Sequence, residues 1–149
     1  MRIGIISDTH GYLDPRVCEA FTDVGAIVHA GDIGAQHVLM ELDAIAPVYA
    51  VLGNCDYAQY GPTVNARALP RLGGKRFLIV HRPTDVGSVP DDVAVVVNGH
   101  THWALVRHVE GVLYVNPGSA SEPRDGAPSV AIVDWGEDGV PDARIVYLS

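Results

Sequence analysis

Short apolar runs, each followed by a polar residue or a glycine, dominate the first third of the chain. Residues 2–7, 26–30 and 47–52 predict buried strands, because each run is brief, apolar and followed by Asp or Gly. Apolar residues at helical spacing predict helices over residues 15–24 and 35–45. This alternation of strands and helices is typical of a parallel sheet with helices packed outside it.

Hairpin signals replace the helical pattern in the rest of the chain. Glycine-containing turns separate residues 65–69 from 76–81, 103–109 from 112–116, and 130–135 from 143–148, and each pair predicts a β-hairpin. The valine-rich residues 93–97 predict a strand buried on both faces, whereas residues 83–92 predict a loop or a poor, short helix. Without a repeat or linker, the pattern predicts one α/β domain over residues 1–149, with two sheets and helices outside.

The charge balance narrows the choice of partners. The chain has 18 acidic residues against 10 lysines and arginines, a formal net charge of -8, so we expect no extended nucleic acid partner. We expect no membrane insertion either, since no apolar run reaches the roughly 18 residues of a membrane span. The apolar start is too short for a signal peptide, and 2 cysteines are too few for a disulfide framework. These features predict a cytoplasmic protein.

Metal-competent side chains follow five of the predicted strands. The carboxyl ends of strands form ligand crevices in open α/β sheets, so we expect these side chains to converge. Carboxylates, an amide and imidazoles suit manganese, iron, zinc or nickel better than calcium. Seven donors exceed the needs of one tetrahedral ion, which predicts a pair of divalent ions, and two-ion sites hydrolyse phosphoesters. The donors are Asp8, His10, Asp32, Asn54, His81, His100 and His102.

In this order the donors also resemble a known signature. The motifs resemble the five blocks of the calcineurin-like metallophosphoesterases, and the short length is similar to that of the superfamily's small bacterial and archaeal phosphodiesterases. The resemblance implies a four-layer α/β/β/α sandwich of two mixed β-sheets flanked by helices. The motifs are Asp8-x-His10, Gly31-Asp32, Gly53-Asn54-Cys55-Asp56, His81, Gly99-His100-x-His102 and Asn116-Pro117-Gly118-Ser119.

The resemblance further implies how the donors are shared and what they do. One ion would be held by Asp8, His10, Asp32 and His102, and the other by Asp32, Asn54, His81 and His100, so that Asp32 bridges the pair. A hydroxide bridging the ions, manganese being favoured, would attack a small phosphoester in line. Asp32, Asn54 and His100 would be the catalytic residues, and His29 is a candidate hydrogen-bond partner of the site.

Two positions depart from the pattern of larger relatives. Cys55 stands where many of them carry a histidine that protonates the leaving group, and a thiol of ordinary pKa, about 8.5, is a weaker acid for that task. Slow turnover, a good leaving group or another acid would each be compatible with this change. Arg82 replaces a frequent glycine and either forks onto a substrate phosphate or points into solvent. Candidate substrate contacts are Cys55, Arg82, Asn116 and Ser119.

Other functions remain open at this point. A non-catalytic scaffold similar to the phosphoesterase-like subunit of retromer would use the same fold, although every ligand position here is filled. A phosphomonoesterase or a nuclease would share the site and differ in the shape of the cleft. Exposed hairpins are compatible with a homodimer or a higher homo-oligomer.

Overall fold

The computed structural model describes residues 1–57, 60–124 and 126–148, which form two mixed β-sheets packed face to face. In chain order the elements are β1 (Arg2–Ile6), α1 (Arg16–Ala20), β2 (Ala26–His29), α2 (Gln36–Asp43), β3 (Val48–Ala50), β4 (Arg67–Ala68), β5 (Arg71–Leu72), β6 (Lys75–Val80), a 3-10 turn (Pro83–Asp85), β7 (Val93–Val97), β8 (Ala104–Val109), β9 (Val112–Pro117), β10 (Ser129–Asp134) and β11 (Asp142–Tyr147).

Each sheet combines three parallel strands with antiparallel strands beside them. The first has the order β11-β10-β1-β2-β3, in which β1, β2 and β3 are parallel, as predicted from the alternation of strands and helices. The second has the order β4-β6-β7-β9-β8, with β6, β7 and β9 parallel. The predicted hairpins β8–β9 and β10–β11 are confirmed.

Alternate residues of the central strands fill the space between the sheets. Ile3 and Ile5 of β1 belong to one buried cluster with Phe77 and Ile79 of β6. All four side chains are fully buried. Burying such a side chain contributes about 1.5–3 kcal/mol. This cluster holds the two sheets, and therefore the loops at their ends, at a fixed separation.

The outer faces of the two sheets are covered differently. Leu42 of α2 and Val17 of α1 pack in one cluster with Ile27 of the first sheet. On the second sheet, Val86 after the 3-10 turn packs near Leu78. The predicted sandwich of two mixed sheets is confirmed, and within the described residues its second helical layer is reduced to this turn, in the segment predicted as a loop or poor helix.

The first helix is shorter than predicted. The pattern predicted residues 15–24, whereas α1 ends at Ala20. The Thr22 hydroxyl donates to the carbonyl oxygens of Cys18 (3.2 Å) and Glu19 (2.7 Å), and such side chains compete with helical bonding. The second helix, predicted over residues 35–45, differs only at its ends.

The strand predicted over residues 65–69 is also different. Only Arg67 and Ala68 pair there, opposite the end of β6, and β5 forms the turn-linked hairpin with the start of β6. Pro70 lies between β4 and β5, and a proline has no N–H to donate to a ladder. The prediction named the correct partner strand for Arg67 and Ala68 but missed β5, which forms the hairpin with the start of β6.

No helix formed by the described residues has the length and apolar composition needed to cross a bilayer.

Candidate metal centre

The structure brings the seven predicted donors together at the carboxyl ends of five strands. Asp8 and His10 follow β1, Asp32 follows β2, and Asn54 follows β3 in the first sheet. In the second sheet His81 follows β6, and the pair His100 and His102 follows β7. The two sheets therefore supply one crevice jointly, as the positions of the donors predicted.

Three of the donors, Asp8, Asp32 and His81, form what we call the floor of the crevice. They are 0%, 3% and 4% exposed. The Asp8 Oδ1 and His81 Nε2 atoms are buried, have no hydrogen-bond partner among the described residues and lie 3.9 Å apart. An unpaired buried polar atom costs about 1–3 kcal/mol, more when it is charged. An electron-rich cluster of this kind fits a bound cation, which would satisfy both atoms at once.

The rim of the crevice consists of more exposed side chains. The Nε2 atom of His102, on the rim, lies 3.2 Å from Asp8 Oδ1 and 3.5 Å from His10 Nε2. His100 Nδ1 lies 3.0 Å from Asn54 Oδ1, and the His100 ring meets the His81 ring at 5.1 Å between centroids. The rim is formed by His10, Asn54, Cys55, Arg82, His100 and His102.

One oxygen atom lies between donors that the resemblance assigns to different ions. Asp32 Oδ2 is 3.4 Å from His81 Nε2 and 3.9 Å from His10 Nε2. Its partner Oδ1 accepts a hydrogen bond from the Cys55 N–H at 2.8 Å, which fixes the carboxylate plane. The arrangement suits a carboxylate shared between two ions.

Backbone carbonyls orient two of the histidines. His81 Nδ1 donates to the Ala30 carbonyl at 2.7 Å, and His102 Nδ1 donates to the Glu122 carbonyl. A proton on Nδ1 leaves Nε2 with its lone pair directed into the crevice, which is the usual arrangement of a metal-binding histidine.

Asp8 is held in the same way by its neighbours. Its Oδ2 accepts from the Ser7 hydroxyl at 2.6 Å and from the His100 N–H at 3.0 Å, so that only Oδ1 faces the crevice. Its carbonyl accepts from the hydroxyls of Ser119 (2.7 Å) and Ser121 (2.9 Å). Sequence reasoning missed Ser7, whose signal is a hydroxyl inside a buried apolar run.

His29 lies beneath the floor and links two ligand loops. Its Nδ1 accepts from the Gly31 N–H at 3.1 Å, so Nε2 carries the proton and donates to the Thr9 hydroxyl at 3.0 Å. Thr9 in turn donates to the Ile33 carbonyl at 2.8 Å. Burial lowers the pKa of His29 from 6.5 to about 3, so the residue is neutral near pH 7.

Asp56, which the motif contained without a role, joins the loops after β2 and β3. Its carboxylate accepts from the N–H groups of Ile33 (3.1 Å), Gly34 (3.2 Å) and Gly53 (2.9 Å). Charge-assisted bonds of this type are stronger than neutral ones. They fix the distance between Asp32 and Asn54.

Five donors adopt the left-handed backbone region that favours glycine. Such a conformation costs an L-residue roughly 1–2 kcal/mol, and strain of this kind concentrates at functional sites. The turns direct the side chains out of the strand ends and into the crevice. The φ angles are 55° for Asp8, 49° for His10, 55° for Asp32, 70° for His100 and 63° for His102.

The carboxylates and imidazoles shift one another's pKa values. Burial alone would raise the pKa of Asp32. The adjacent His81 and the Cys55 N–H together have the larger effect and lower the pKa of Asp32 to below its ordinary range. Burial lowers the pKa of His81, yet Asp32 and the Ala30 carbonyl raise it above its usual value. Partial burial and the charges of His81 and Arg82 lower the pKa of His100.

Cys55 is exposed and close to the same carboxylate. Its pKa is raised by burial of the sulfur against neighbouring atoms and by the negative charge of Asp32. The uncoordinated thiol therefore keeps its proton near neutral pH.

Arg82 borders a cavity of about 280 Å³ beside the donors. Its guanidinium makes no hydrogen bond or ion pair with any part of the chain that the structure describes. Asn54, His81 and Asp85 line the same cavity. A free guanidinium next to the floor is placed to meet an anion that enters the crevice.

The last two predicted substrate contacts, Asn116 and Ser119, lie below the loops. Asn116 is 5% exposed, and its amide nitrogen donates to the Gly99 carbonyl at 3.1 Å and to the Thr101 hydroxyl at 3.0 Å. Ser119 is fully buried. Both side chains support the loops that carry His100 and Asp8, and neither presents a free group to the crevice.

Comparison of the sequence with known proteins identifies the family. A family model described as the calcineurin-like phosphoesterase superfamily domain matches residues 1–138. A probable metallophosphoesterase of Methanothermobacter thermautotrophicus is 33% identical over 147 residues, covering 89% of this chain and 85% of that protein.

Solved structures extend the comparison to the fold. The structure of an archaeal phosphodiesterase superposes with a TM-score of 0.77 at 26% identity and covers 99% of both chains. Vacuolar protein sorting 29 from Cryptosporidium parvum superposes with a TM-score of 0.76 at 19% identity, covering 97% of this chain and 96% of that one. At that identity the second likeness shows a shared fold alone.

Proposed function

The chain belongs to the calcineurin-like phosphoesterase superfamily, and on that premise we propose that it is a phosphodiesterase acting on a small phosphoester with two divalent ions. Membership confirms the resemblance that the motifs indicated and the predicted metallophosphoesterase class. It also implies divalent ions at the site. The number of ions, the preference for manganese and the diester substrate belong to the proposal.

The unpartnered atoms on the floor carry this proposal. Asp8 Oδ1 and His81 Nε2 are buried without partners, and Asp32 Oδ2 lies near the donors of both groups. In a scaffold that bound no ion, these buried unpaired atoms would destabilise the fold and no interaction would compensate for them. The full set of donors therefore favours an enzyme.

We assign the donors to the ions as the resemblance implies. The first ion takes Asp8, His10, Asp32 and His102, which includes a cluster whose nitrogen and oxygen atoms lie within 4.8 Å of one another. The second takes Asp32, Asn54, His81 and His100. Two of these donors, His100 Nδ1 and Asn54 Oδ1, lie 3.0 Å apart and would hold the second ion together.

The chemistry follows from what surrounds the ions. Bound divalent ions polarise phosphoryl oxygens and lower the pKa of nearby water, which prepares an in-line displacement. The chain's own residues hold fixed positions through the carbonyls behind His81 and His102, so little reorganisation is needed. Arg82 binds the incoming phosphate through its free guanidinium. Asn116 and Ser119 act as supports of the ligand loops.

Cys55 contributes little as an acid. Its raised pKa makes the thiol a poor proton donor to a leaving alcohol. We therefore expect esters of acidic alcohols, such as aryl esters, to react fastest.

Hydrolysis of bis(p-nitrophenyl) phosphate with added Mn²⁺ tests the proposal. Asp32→Ala removes the shared carboxylate, and we expect the rate to fall by about 10³-fold or more, since a lost ion interaction is worth several kcal/mol. Asp91→Ala, which removes an exposed carboxylate away from the donors, is the matched control and keeps the wild-type rate. Equal rates in the wild type and Asp32→Ala would contradict the proposal.

Two further measurements separate the remaining alternatives. The first is metal analysis of the purified protein. Fewer than one tightly bound divalent ion per wild-type chain would favour a scaffold, an alternative suggested by the fold shared with vacuolar protein sorting 29. Faster hydrolysis of p-nitrophenyl phosphate than of the diester would favour a phosphomonoesterase. We place the activity in one domain that spans residues 1–149.

A further inference from the structure

We propose that Cys55 supplies a sulfur ligand to the ion held by His10 and Asp32 when that ion is thiophilic, such as zinc or cadmium. The proposal rests on the metal centre of the proposed function and adds a ligand to it. It gives Cys55 a role other than proton donation.

The three side chains form a cluster of suitable size. One ligand atom from each of His10, Asp32 and Cys55 lies within 4.8 Å of the others. Ligands of a tetrahedral ion at about 2.0–2.3 Å are roughly 3.3–3.7 Å apart. The Cys55 side chain is exposed, so rotation about its Cα–Cβ bond can close the remaining gap.

The backbone fixes the cysteine over the shared carboxylate. Its N–H donates to Asp32 Oδ1 at 2.8 Å, while Asp32 Oδ2 remains on the side of His10 and His81. Any ion that binds Asp32 Oδ2 and His10 therefore lies beside the Cys55 side chain. The position of the sulfur follows from the turn after Gly53 and needs no rearrangement of the main chain.

Independent observations show that the crevice as a whole is suited to a cation. The floor atoms Asp8 Oδ1 and His81 Nε2 are buried and unpartnered, and they belong to a second cluster that shares Asp32 with the first. Cys18, on α1, takes part in no such cluster among the described residues, although it is exposed like Cys55. It provides an internal control.

A sulfur ligand changes what the centre binds and how it reacts. A thiolate binds zinc, cadmium or iron more strongly than manganese, which prefers oxygen donors, so the sulfur strengthens binding of the thiophilic ions and leaves the binding of manganese nearly unchanged. A coordinated sulfur has lost its proton and cannot donate one to the leaving group. Coordination also adds one negative charge to the two carboxylates of Asp8 and Asp32.

X-ray absorption and cobalt spectra of metal-loaded protein test the assignment. Zinc-loaded wild type and Cys18→Ser are expected to show a sulfur neighbour at about 2.3 Å, and Cys55→Ser only nitrogen and oxygen. The cobalt-loaded proteins are expected to follow the same division in their sulfur-to-cobalt charge-transfer band. The Kd for Cd²⁺ is expected to rise at least about 10- to 100-fold in Cys55→Ser, with little change in the Kd for Mn²⁺.

Each other outcome overturns the proposal in a distinguishable way. Wild-type protein that binds zinc with nitrogen and oxygen ligands alone refutes the sulfur ligand and leaves the proposed function standing. Wild-type protein that binds no divalent ion refutes both. A sulfur signal that persists in Cys55→Ser, or disappears in Cys18→Ser, assigns it elsewhere. Cys55→Ala replaces Cys55→Ser in these measurements if the serine variant does not fold.

Discussion

The floor and the rim of the crevice both supply metal donors but are built differently. Asp8, Asp32 and His81 of the floor are buried, and their neighbours fix each of them. Arg82 and Cys55 of the rim are exposed, and Arg82 has no hydrogen-bond partner among the described residues. The floor thus resembles a core made of polar atoms, whereas the rim keeps the freedom that a substrate needs.

The unfavourable free energy of burying polar atoms is therefore concentrated in the floor. Buried polar groups are stable only when all their hydrogen bonds are made. A serine hydroxyl, backbone N–H groups and a carbonyl meet that condition for most polar atoms of the floor. The two exceptions among the described residues are Asp8 Oδ1 and His81 Nε2. Four substitutions, beneath the floor and away from the crevice, test whether the floor is as rigid as this contrast implies.

The largest effect is expected from adding a methyl group beneath the floor. A Cβ on Gly31 would lie 2.8 Å from Gly53 N and from His81 Nδ1, at a φ of +99°. Overpacking costs about 1–3 kcal/mol and the left-handed backbone roughly 1–2 kcal/mol more. We therefore expect Gly31→Ala to lower the free energy of unfolding in urea by about 3 kcal/mol or more, and to abolish hydrolysis.

The matched control is a glycine with similar backbone and no neighbours. Gly111, at the tip of the β8–β9 hairpin, has a φ of +81° and nothing within 4 Å of an added Cβ. Gly111→Ala should cost only the backbone strain, roughly 1–2 kcal/mol, and keep full activity. Equal losses in the two variants would show that the space beneath the floor is not rigid.

A smaller effect on stability is expected from replacing His29, the buried histidine beneath the floor. The pKa of His29 falls from 6.5 to about 3 on folding, because burial disfavours the charged ring. Below pH 6.5 the unfolded chain therefore binds one more proton than the native state does. The free energy of unfolding falls by up to about 1.4 kcal/mol per pH unit as the pH falls toward 3.

His29→Gln tests this contribution while keeping a donor and an acceptor. Urea unfolding at pH 7 and pH 5, with a chelator present, should show a smaller drop in the variant, by about 2 kcal/mol over that interval. An unchanged pH dependence would mean that His29 does not stay neutral beneath the floor.

The smallest effect, of opposite sign, is expected from an exposed histidine outside the crevice. The Glu41 carboxylate and the Gly11 carbonyl raise the pKa of His37. Its stabilising contribution is therefore present below about pH 6.5 and is lost as the pH rises through the raised pKa. The free energy of unfolding of His37→Gln should be slightly lower than that of the wild type at pH 5.5. At pH 9 the two values should be equal.

The sequence predicted the strand ends well, because their chemistry and their place in the fold coincide. Asp8, Asp32 and His81 each follow an apolar run, and the carboxyl ends of parallel strands meet at one edge. The parts that could not be predicted depend on contacts between distant residues. Nothing local marks Asp56 as the acceptor for N–H groups near residue 33, or Asn116 as a support of the loop at residue 100.

The errors in secondary structure have a similar origin. Residues 15–24 have a helical pattern, but the last part forms turns in which Thr22 bonds to preceding carbonyls. Residues 65–69 have a strand pattern, but their pairing depends on where Pro70 meets β6. In both cases the local hydrogen bonding decided the boundary.

The place of β1 in the first sheet determines when the crevice can form during synthesis. Its partner on one side is β2, but on the other side Ile3 pairs with Val133, and Ser119 and Ser121 hold the Asp8 carbonyl. At about 5–20 residues per second, a ribosome takes roughly 6 to 25 s to reach β10 after making Asp8. Until then β1 keeps one open edge, and the first carboxylate made is among the last to be fixed in place.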